Sequence, residues 1–282
     1  MAVSCGTFTV LDQRKEKITM QVWKERFHVF FQYKDLWLQL VSRDIKLKYR
    51  RSFLGYVWSV LNPLLIMLVM TLVFSTMFKR DISNFPVYLM TGRTIFEFVT
   101  GSTKQAMRSI IGNASLIKKT YVPKYIFTLA KVTSAWVDFL FSLGALVIVM
   151  VITRAPVTPY VLCTPLVLIQ IYIFSLGLGF FLAQINVFFR DMQYIYQAIT
   201  TAWMYATPIF YPLESIHNDA MIFVIKGLNP LYYYVAQFRD MVYLGQFPGP
   251  RIFWGGWLIA IVVFIIGLWS FKRSQDKFIL YI

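Results

Sequence analysis

Histidine, cysteine and acidic residues are scarce in this chain of 282 residues, which has two histidines, two cysteines and 13 aspartates and glutamates. Cys5 and Cys163 lie far apart and neither belongs to a CxxC pair, which argues against a disulfide scaffold or a thiolate metal site. The sequence has no GxxxxGKS or GxxxxGKT phosphate loop and no HExxH motif. We therefore predict no catalytic residue, no metal site and no cofactor in this chain.

Charged residues make up only 15% of the chain, whereas hydrophobic residues make up 58%. A soluble domain has roughly 45–50% apolar and about 25% charged residues, so the composition predicts an integral membrane protein. The formal net charge of +15 would suggest nucleic-acid binding in a soluble chain. Here the basic residues lie between apolar runs, so orientation in the membrane explains them better, and we expect no nucleic-acid partner.

Six apolar stretches have about the 20 residues that a helix needs to cross a membrane. They predict an all-α fold with six transmembrane helices near residues 54–78, 87–108, 126–153, 161–185, 193–211 and 252–271. We predict one transmembrane domain over 54–271, preceded by a segment 1–32 and an interface helix 33–53, and followed by a tail 272–282. With the amino terminus inside, three quarters of the 28 Lys and Arg residues fall on the inner side, so both termini are predicted to be cytoplasmic.

The predicted second span is unusual because it carries Arg93, Glu97, Lys104 and Arg108. At 100° per residue these four side chains lie within roughly 60° of one another on the helix. A charge at the bilayer centre costs on the order of 3 kcal/mol or more, so this face has to meet water, a partner helix or a polar solute. We predict that Arg93, Glu97 and Lys104 line a transport pathway. The alternative is that Arg93 pairs with Glu97 while Lys104 and Arg108 lie among headgroups.

Aromatic residues are concentrated in the predicted fifth span and its exit. Sugar rings pack their C–H faces on aromatic rings, and phenol and indole tips bond to hydroxyl groups, which suits a sliding polymer. An ordinary aromatic belt at the membrane interface is the alternative. The residues predicted to line the pathway here are Tyr194, Trp203, Tyr205, Phe210 and Tyr211.

An amphipathic helix is predicted immediately before the first span. Its basic face contains Arg43, Lys46 and Arg50, and its apolar face contains Trp37, Val41, Ile45 and Tyr49. We expect it to lie in the inner interface, with its aromatic residues in the acyl boundary and its cations on anionic headgroups. The alternative is a soluble helix packed on its own domain.

The predicted outer segment 212–251 is interrupted by prolines and its apolar patches are too short to cross. We expect short helices that dip back from outside and close the pathway between transport events. The residues predicted to form this outer gate are Pro212, Pro230, Tyr232, Tyr233 and Tyr234, with the tyrosines packed against the fifth span.

The inner loop over residues 113–124, which we call the elbow, is short, basic and amphipathic. Asn113 is predicted to cap a short helix that runs through Lys119, and Pro123 stops it before the third span. This shape suits docking on a soluble partner, and a plain connector is the alternative. The residues predicted to couple to that partner are Asn113, Leu116, Ile117, Lys118, Lys119, Arg190 and Asp191.

Several short motifs together resemble the membrane subunit of ABC-type polysaccharide exporters, the O-antigen and teichoic acid exporter family. They are RDIKLKYRRSFLG at 43–55 with Trp58 and Asn62-Pro63-Leu64, the elbow at 113–124, NVFFRD at 186–191, TPIFYP at 207–212 and Asn229-Pro230. The motifs occur in order and cover most of residues 40–240. The chain departs from the family where Gly92-Arg93 and Phe96-Glu97 replace a common Gly-Leu and Trp, which suggests a channel mouth adapted to a particular glycan.

The resemblance implies a homodimer in the bacterial inner membrane that binds two copies of a separate ABC ATPase, which holds ATP and Mg. It implies export of an undecaprenyl-linked glycan such as O-antigen or teichoic acid. A drug or small-lipid efflux permease of the same superfamily is an alternative. A membrane enzyme acting on polyprenyl-linked sugars is another, although such an enzyme should show paired carboxylates or a His–Asp pair.

Overall fold

The computed structural model describes residues 32–50, 52–78, 82–213 and 216–282, and no β-strand occurs within these ranges. The predicted all-α class is confirmed. All but the last residue of the predicted segment 1–32 lies outside the described residues. The helices are α1 Lys34–Tyr49, α2 Trp58–Phe78, α3 Phe85–Met107, α4 Ala114–Lys119, α5 Tyr125–Ile152, α6 Thr164–Phe188, α7 Met192–Ala206, α8 Asp219–Leu228, α9 Pro230–Arg239, α10 Pro250–Ser274 and α11 Phe278–Tyr281.

Helix α6 is the centre of the bundle and packs against α3, α5, α9 and α10. Its closest neighbour is α10, because Gly177 and Gly267 remove side chains from the crossing point. A Cβ atom on Gly177 would lie 2.4 Å from the Cα atom of Phe264, and one on Gly267 would lie still closer to the Gly177 carbonyl. The backbones of α6 and α10 therefore approach as closely as small residues allow in membrane helices.

Four helical segments of the described chain are long and apolar enough to cross a membrane, namely Gly55–Phe74, Tyr125–Ile152, Pro159–Phe188 and Pro250–Tyr281. The predicted count of six is not reached on these criteria. Helix α3 is long enough, with 23 residues, but carries Arg93, Glu97 and Lys104. Helix α7 has 15 residues and falls short of the roughly 20 that a span requires.

The two ends of the bundle carry different short elements. One end, which we call the elbow end, holds α1, α4 and α11, and the opposite end, which we call the far end, holds α8 and α9. At the elbow end, α1 packs along α5, with Leu40 and Val41 buried. Trp37 Nε1 donates a hydrogen bond to Thr133 Oγ1 at 3.3 Å. The apolar face of α1 therefore packs on protein, whereas we expected Trp37 to meet acyl chains.

The far-end segment contains two short helices, as its sequence predicts, and each begins at an asparagine. The side chain of Asn218 accepts bonds from the backbone N–H groups of Ala220 and Met221 at the start of α8. The side chain of Asn229 accepts a bond from the Leu231 N–H, and Pro230 occupies the first turn of α9. These caps satisfy backbone donors that would otherwise be unpaired at the helix starts.

Candidate translocation pathway and coupling surface

Helix α3 is buried on every side except along its charged stripe. Ile95 and Val99 are fully buried, whereas Glu97 and Lys104 are exposed and Arg93 is partly exposed. Arg93 Nη2 lies 2.6 Å from Glu97 Oε1, so the pairing considered as an alternative is present. The stripe is therefore the open face of a helix whose other faces pack against α2, α5, α6 and α9.

Helix α7 lies beside the second half of α3 and is joined to this end of α3 by two polar contacts. The hydroxyl groups of Thr103 and Tyr196 lie 2.6 Å apart in a buried position. Near the elbow end, Arg108 Nη2 donates a bond to Gln193 Oε1 at 3.2 Å. These contacts fix α7 next to α3 although α7 buries few of its own side chains.

The predicted aromatic residues do not form one surface. Tyr194 and Tyr205 are 68% and 63% exposed on the outer face of α7. Trp203 Nε1 donates a bond to Asn229 Oδ1 at 2.7 Å and so ties α7 to the start of α9. Phe210 is buried and stacks on Phe74, while the Tyr211 hydroxyl donates to the Tyr205 carbonyl at 2.8 Å. The structure brings only Tyr194 and Tyr205 of this set to an open face.

The predicted gate tyrosines pack elsewhere than expected. Tyr234 is fully buried, with its ring 5.4 Å from that of Phe174 on α6. Its hydroxyl donates a bond to the Gly256 carbonyl on α10 at 3.1 Å. Tyr232 and Tyr233 meet edge to face with ring centroids 6.0 Å apart. Tyr234 thus packs against α6 and α10 rather than against α7 because the side chain turns toward the bundle centre.

Arg239, at the end of α9, is a residue that the sequence analysis did not single out. Only 8% of it is exposed. Its guanidinium donates to the carbonyls of Pro208, Ile209 and Tyr88 and to the Tyr88 hydroxyl. It also lies 3.7 Å from the centroid of the Tyr88 ring. Arg239 therefore joins α9 to α3 and to the 207–211 loop, with a planar donor group suited to several acceptors at once.

Gly92 makes room for this guanidinium. A Cβ atom at Gly92 would lie 2.6 Å from Arg239 Nη2 and 3.4 Å from the Ile209 Cα atom. The Gly92-Arg93 pair departs from the family pattern at its second residue, and its two residues have different roles. Gly92 admits Arg239, and Arg93 begins the exposed stripe.

The elbow contains the predicted short helix, α4, with the predicted bounds. Asn113 does not cap it through its side chain. Instead, Asn113 Nδ2 donates to the Ser109 carbonyl at 2.7 Å and Asn113 Oδ1 accepts a bond from Arg43 Nη2 at 3.1 Å. The side chain therefore links the elbow to α1 and to the end of α3 instead of capping α4.

Within the elbow, the short helix α4 exposes its basic residues and packs its apolar ones against the bundle. Ile117 is only 6% exposed and Leu116 is partly buried in the same cluster, so they hold α4 to the bundle. Lys118 and Lys119 are exposed, and so is Tyr121, which the sequence analysis missed. The other predicted coupling pair, Arg190 and Asp191, is also exposed next to the exposed ring of Phe189.

The carboxyl-terminal residues pack at the base of the elbow. Lys124 Nζ donates a hydrogen bond to the Gln275 carbonyl at the end of α10 and lies 5.9 Å from the centroid of the Phe278 ring. Phe278 is fully buried against Phe271 and Phe188. Partial burial lowers the pKa of Lys124, and the nearby Asp276 carboxylate opposes that shift. The tail thus stabilises the position of the elbow.

Long apolar helices with exposed apolar outer faces define an integral membrane protein. A sequence model described as ABC-2 type transporter matches residues 35–243. The chain belongs to the ABC-2 type transporter family, and the resemblance predicted from its motifs is confirmed.

The chain is also similar to individual bacterial permeases. It is 30% identical over 249 residues to the O-antigen export system permease protein RfbA of Myxococcus xanthus, covering 88% of this chain and 95% of that relative. It is 29% identical over 249 residues to the RfbA of Klebsiella pneumoniae, covering 86% and 93%. It is 25% identical over 245 residues to the polysialic acid transport protein KpsM of Escherichia coli, covering 84% and 92%.

Proposed function

We propose that this chain is the permease subunit of an ATP-driven exporter that moves lipid-linked polysaccharide out across the bacterial inner membrane. The observation that carries this proposal is the match, over nearly the whole chain, to permeases named for O-antigen export and polysialic acid transport. The chain works in transport rather than as an enzyme. Its energy comes from two copies of a separate ABC ATPase, which hold ATP and Mg.

The glycan passes along the open face of α3. Its charged stripe supports this because a membrane helix buried on its other sides gains nothing from placing charges toward lipid. We further propose that α3 and α7 cross the membrane with the four apolar segments, which gives six crossings. The buried Thr103–Tyr196 contact holds α7 against α3 and supports a shared position at the pathway.

Two copies of the chain form the exporter. Helices α2 and α7 expose long rows of apolar side chains, among them Leu65, Leu68 and Leu72 on α2 and Ile195 and Ile199 on α7. A charged stripe next to α7 needs a second wall that excludes lipid from the pathway. A second copy that covers α7 supplies that wall, while lipid covers α2.

The ATPase docks at the elbow end, which is cytoplasmic in this proposal because most Lys and Arg residues lie there. The exposed elbow residues Lys118, Lys119 and Tyr121 and the exposed 189–191 turn form the docking surface. Ile117 acts differently from the expectation: its buried side chain transmits the movement of α4 into the bundle rather than touching the ATPase.

Helices α8 and α9 close the outer end of the pathway between transport events. Arg239 and Trp203 support this role, because Arg239 attaches α9 to the loop that follows α7, and Trp203 attaches α7 itself to the start of α9. Opening requires these contacts to rearrange, which is typical of a segment that moves between two packed states.

The experiment that tests the proposed function uses the bacterium that makes the protein. Depletion of the chain is expected to leave polyprenyl-linked glycan on the cytoplasmic face, measured as glycan resistant to a glycosidase added to intact spheroplasts. Restoring the chain is expected to restore digestion. Unchanged surface glycan after depletion, with loss of resistance to exported drugs, would instead assign the chain to drug efflux.

A further inference from the structure

An open cavity of about 450 Å³ lies at the elbow end, between α1, the end of α3, the elbow and α5. We call it the basic cavity, because Arg43, Arg108 and Lys131 line it together with one acidic residue, Asp44. A second cavity of about 460 Å³ lies along the other side of Arg43 and adds Lys46 and Arg50. The basic face of α1 is thus continuous with a pocket walled by the transmembrane bundle.

The single carboxylate of the basic cavity is shared between two cations. Asp44 Oδ1 lies 3.1 Å from Arg43 Nη2, and Asp44 Oδ2 lies 2.8 Å from Lys131 Nζ. Arg108 bonds to the neutral amide of Gln193 instead. Three positive charges therefore face one negative charge, and the cavity keeps an excess of two positive charges.

This excess is unlike an ordinary solvated basic surface in two respects. The Asp44 side chain is only 9% exposed, so the cations are drawn to a buried point and held close together despite their repulsion. Arg43 is further fixed by Asn113 Oδ1 at 3.1 Å. The Nε and Nη2 groups of Arg43 donate to Asp44 and Asn113, which fixes the guanidinium so that Nη1 can donate to a phosphate oxygen, and Lys131 adds a point charge.

The surroundings of the basic cavity suit a lipid. Leu47, which is 57% exposed, belongs to its lining and offers an apolar surface beside the cations. Arg108 lies at the end of the charged stripe of α3, so the cavity opens where the proposed pathway begins. A headgroup bound here would place its attached sugars next to Lys104.

We propose that the basic cavity binds a phosphate-bearing lipid headgroup, and that this headgroup is the diphosphate of the polyprenyl-linked glycan. The choice of lipid rests on the proposed function. A diphosphate diester carries one negative charge on each phosphate and matches the excess of two positive charges, whereas an anionic phospholipid such as phosphatidylglycerol supplies a single negative charge. The cavity is thus a loading site that selects the lipid carrier before the polymer enters.

The test uses the purified full-length chain in nanodiscs of phosphatidylcholine. The diphosphate probe is undecaprenyl diphosphate carrying one sugar, which is a diester like the proposed ligand. This probe, undecaprenyl monophosphate, phosphatidylglycerol and inorganic pyrophosphate are titrated separately, and binding is measured by native mass spectrometry. The variants are Arg108→Gln and Lys131→Gln, with Arg108→Lys as the conservative change. Lys277→Gln is the matched control, since Lys277 is exposed at the same end of the bundle and lies outside both cavities.

We expect the native chain and the Lys277→Gln control to bind undecaprenyl diphosphate at least tenfold more tightly than phosphatidylglycerol. Arg108→Gln and Lys131→Gln should each weaken diphosphate binding about tenfold, and Arg108→Lys should weaken it less; the melting temperature of each variant is measured alongside, and binding is compared below it. Equal affinity for the diphosphate and for phosphatidylglycerol would overturn the choice of carrier. If pyrophosphate binds tightly and the lipid diphosphate does not, the site is one for free phosphate rather than for a lipid headgroup. If both Gln variants bind the lipid diphosphate as tightly as the native chain, the basic cavity is not the binding site.

Failure of this site and failure of the proposed function are separable. A chain that binds undecaprenyl diphosphate through Arg108 and Lys131, but whose depletion leaves glycan export intact, retains the site and loses the function. A chain whose depletion blocks export, but whose two Gln variants bind and export normally, retains the function and loses the site.

Discussion

Replacing Arg239 by leucine tests whether a single side chain holds the far-end helices to the bundle. The buried guanidinium donates to the carbonyls of Pro208 and Ile209, besides its contacts with Tyr88. Leucine keeps an apolar side chain of moderate size but supplies no donor. The carbonyls that lose this donor are buried, and each such loss costs about 1–3 kcal/mol.

For the two carbonyls together the expected loss is about 4 kcal/mol, which corresponds to roughly 1,000-fold in an opening equilibrium. This loss falls on the attachment of α9 to the 207–211 loop rather than on the central helices. Hydrogen exchange measured by mass spectrometry should therefore become up to about 1,000-fold faster in residues 207–211 and 230–239 of Arg239→Leu. Exchange in α6 should stay unchanged.

Two further variants make this result specific. Arg239→Lys keeps the charge but cannot reach four acceptors with one ammonium group, so its exchange should fall between those of the native chain and Arg239→Leu. Arg251→Leu removes an exposed arginine at the start of α10 and should exchange like the native chain. Native protection of residues 207–211 in Arg239→Leu would refute the reasoning that Arg239 holds this contact.

Three other predictions concern packing, coupling and the pathway. Gly177→Ala should lower the melting temperature by several degrees, because its Cβ atom would meet the α10 backbone, whereas Gly144→Ala, which meets nothing within 4 Å, should leave it unchanged. Tyr121→Ala should weaken binding of the ATPase in a pull-down without changing the melting temperature, and unaltered binding would count against the elbow as a docking surface. Cysteine at Glu97 should react with a water-soluble maleimide while cysteine at Val99 stays protected, and equal labelling of both would contradict an open stripe.

The positions of the helices could be predicted from the sequence because apolar runs and their interruptions are local signals. The short elbow helix was predicted with its bounds from Asn113 and Pro123 on either side, although Asn113 does not cap it through its side chain. The number of membrane crossings was harder to predict. Helix α7 ends at Ala206, where Thr207-Pro208 begins an extended loop, and hydropathy alone does not reveal this end because the loop is itself apolar.

The direction in which side chains point inside the bundle could not be predicted in the same way. Ile117 was predicted to contact the partner and Tyr121 was not, yet Ile117 is buried and Tyr121 is exposed, and only the packing of α4 against the bundle separates the two. Tyr234 packs against Phe174 on α6 and donates to Gly256 on α10, neither of which is near it in the sequence. Such orientations depend on contacts between segments far apart in sequence.

The contacts of Arg239 are the clearest example of side-chain contacts that could not be predicted from the sequence. Three of its four acceptors are the backbone carbonyls of residues 88, 208 and 209, and backbone carbonyls carry no signature in the sequence. The basic cavity is a partial exception. Its α1 member Arg43 and its α3 member Arg108 were noticed as parts of separate basic patterns, but their approach to Asp44 and Lys131 requires the packing of α1 on α5.

The most direct test of the central claim is reconstitution of the chain with its cognate ATPase in proteoliposomes that contain the lipid-linked glycan. Inside-out vesicles receive ATP from outside, and glycan that reaches the lumen becomes protected from an added glycosidase. If the chain is a glycan-export permease, protection should rise with time only when ATP, the ATPase and the chain are all present. Protection that never exceeds the level in vesicles lacking the chain, despite ATP hydrolysis by an assembled complex, would contradict the account.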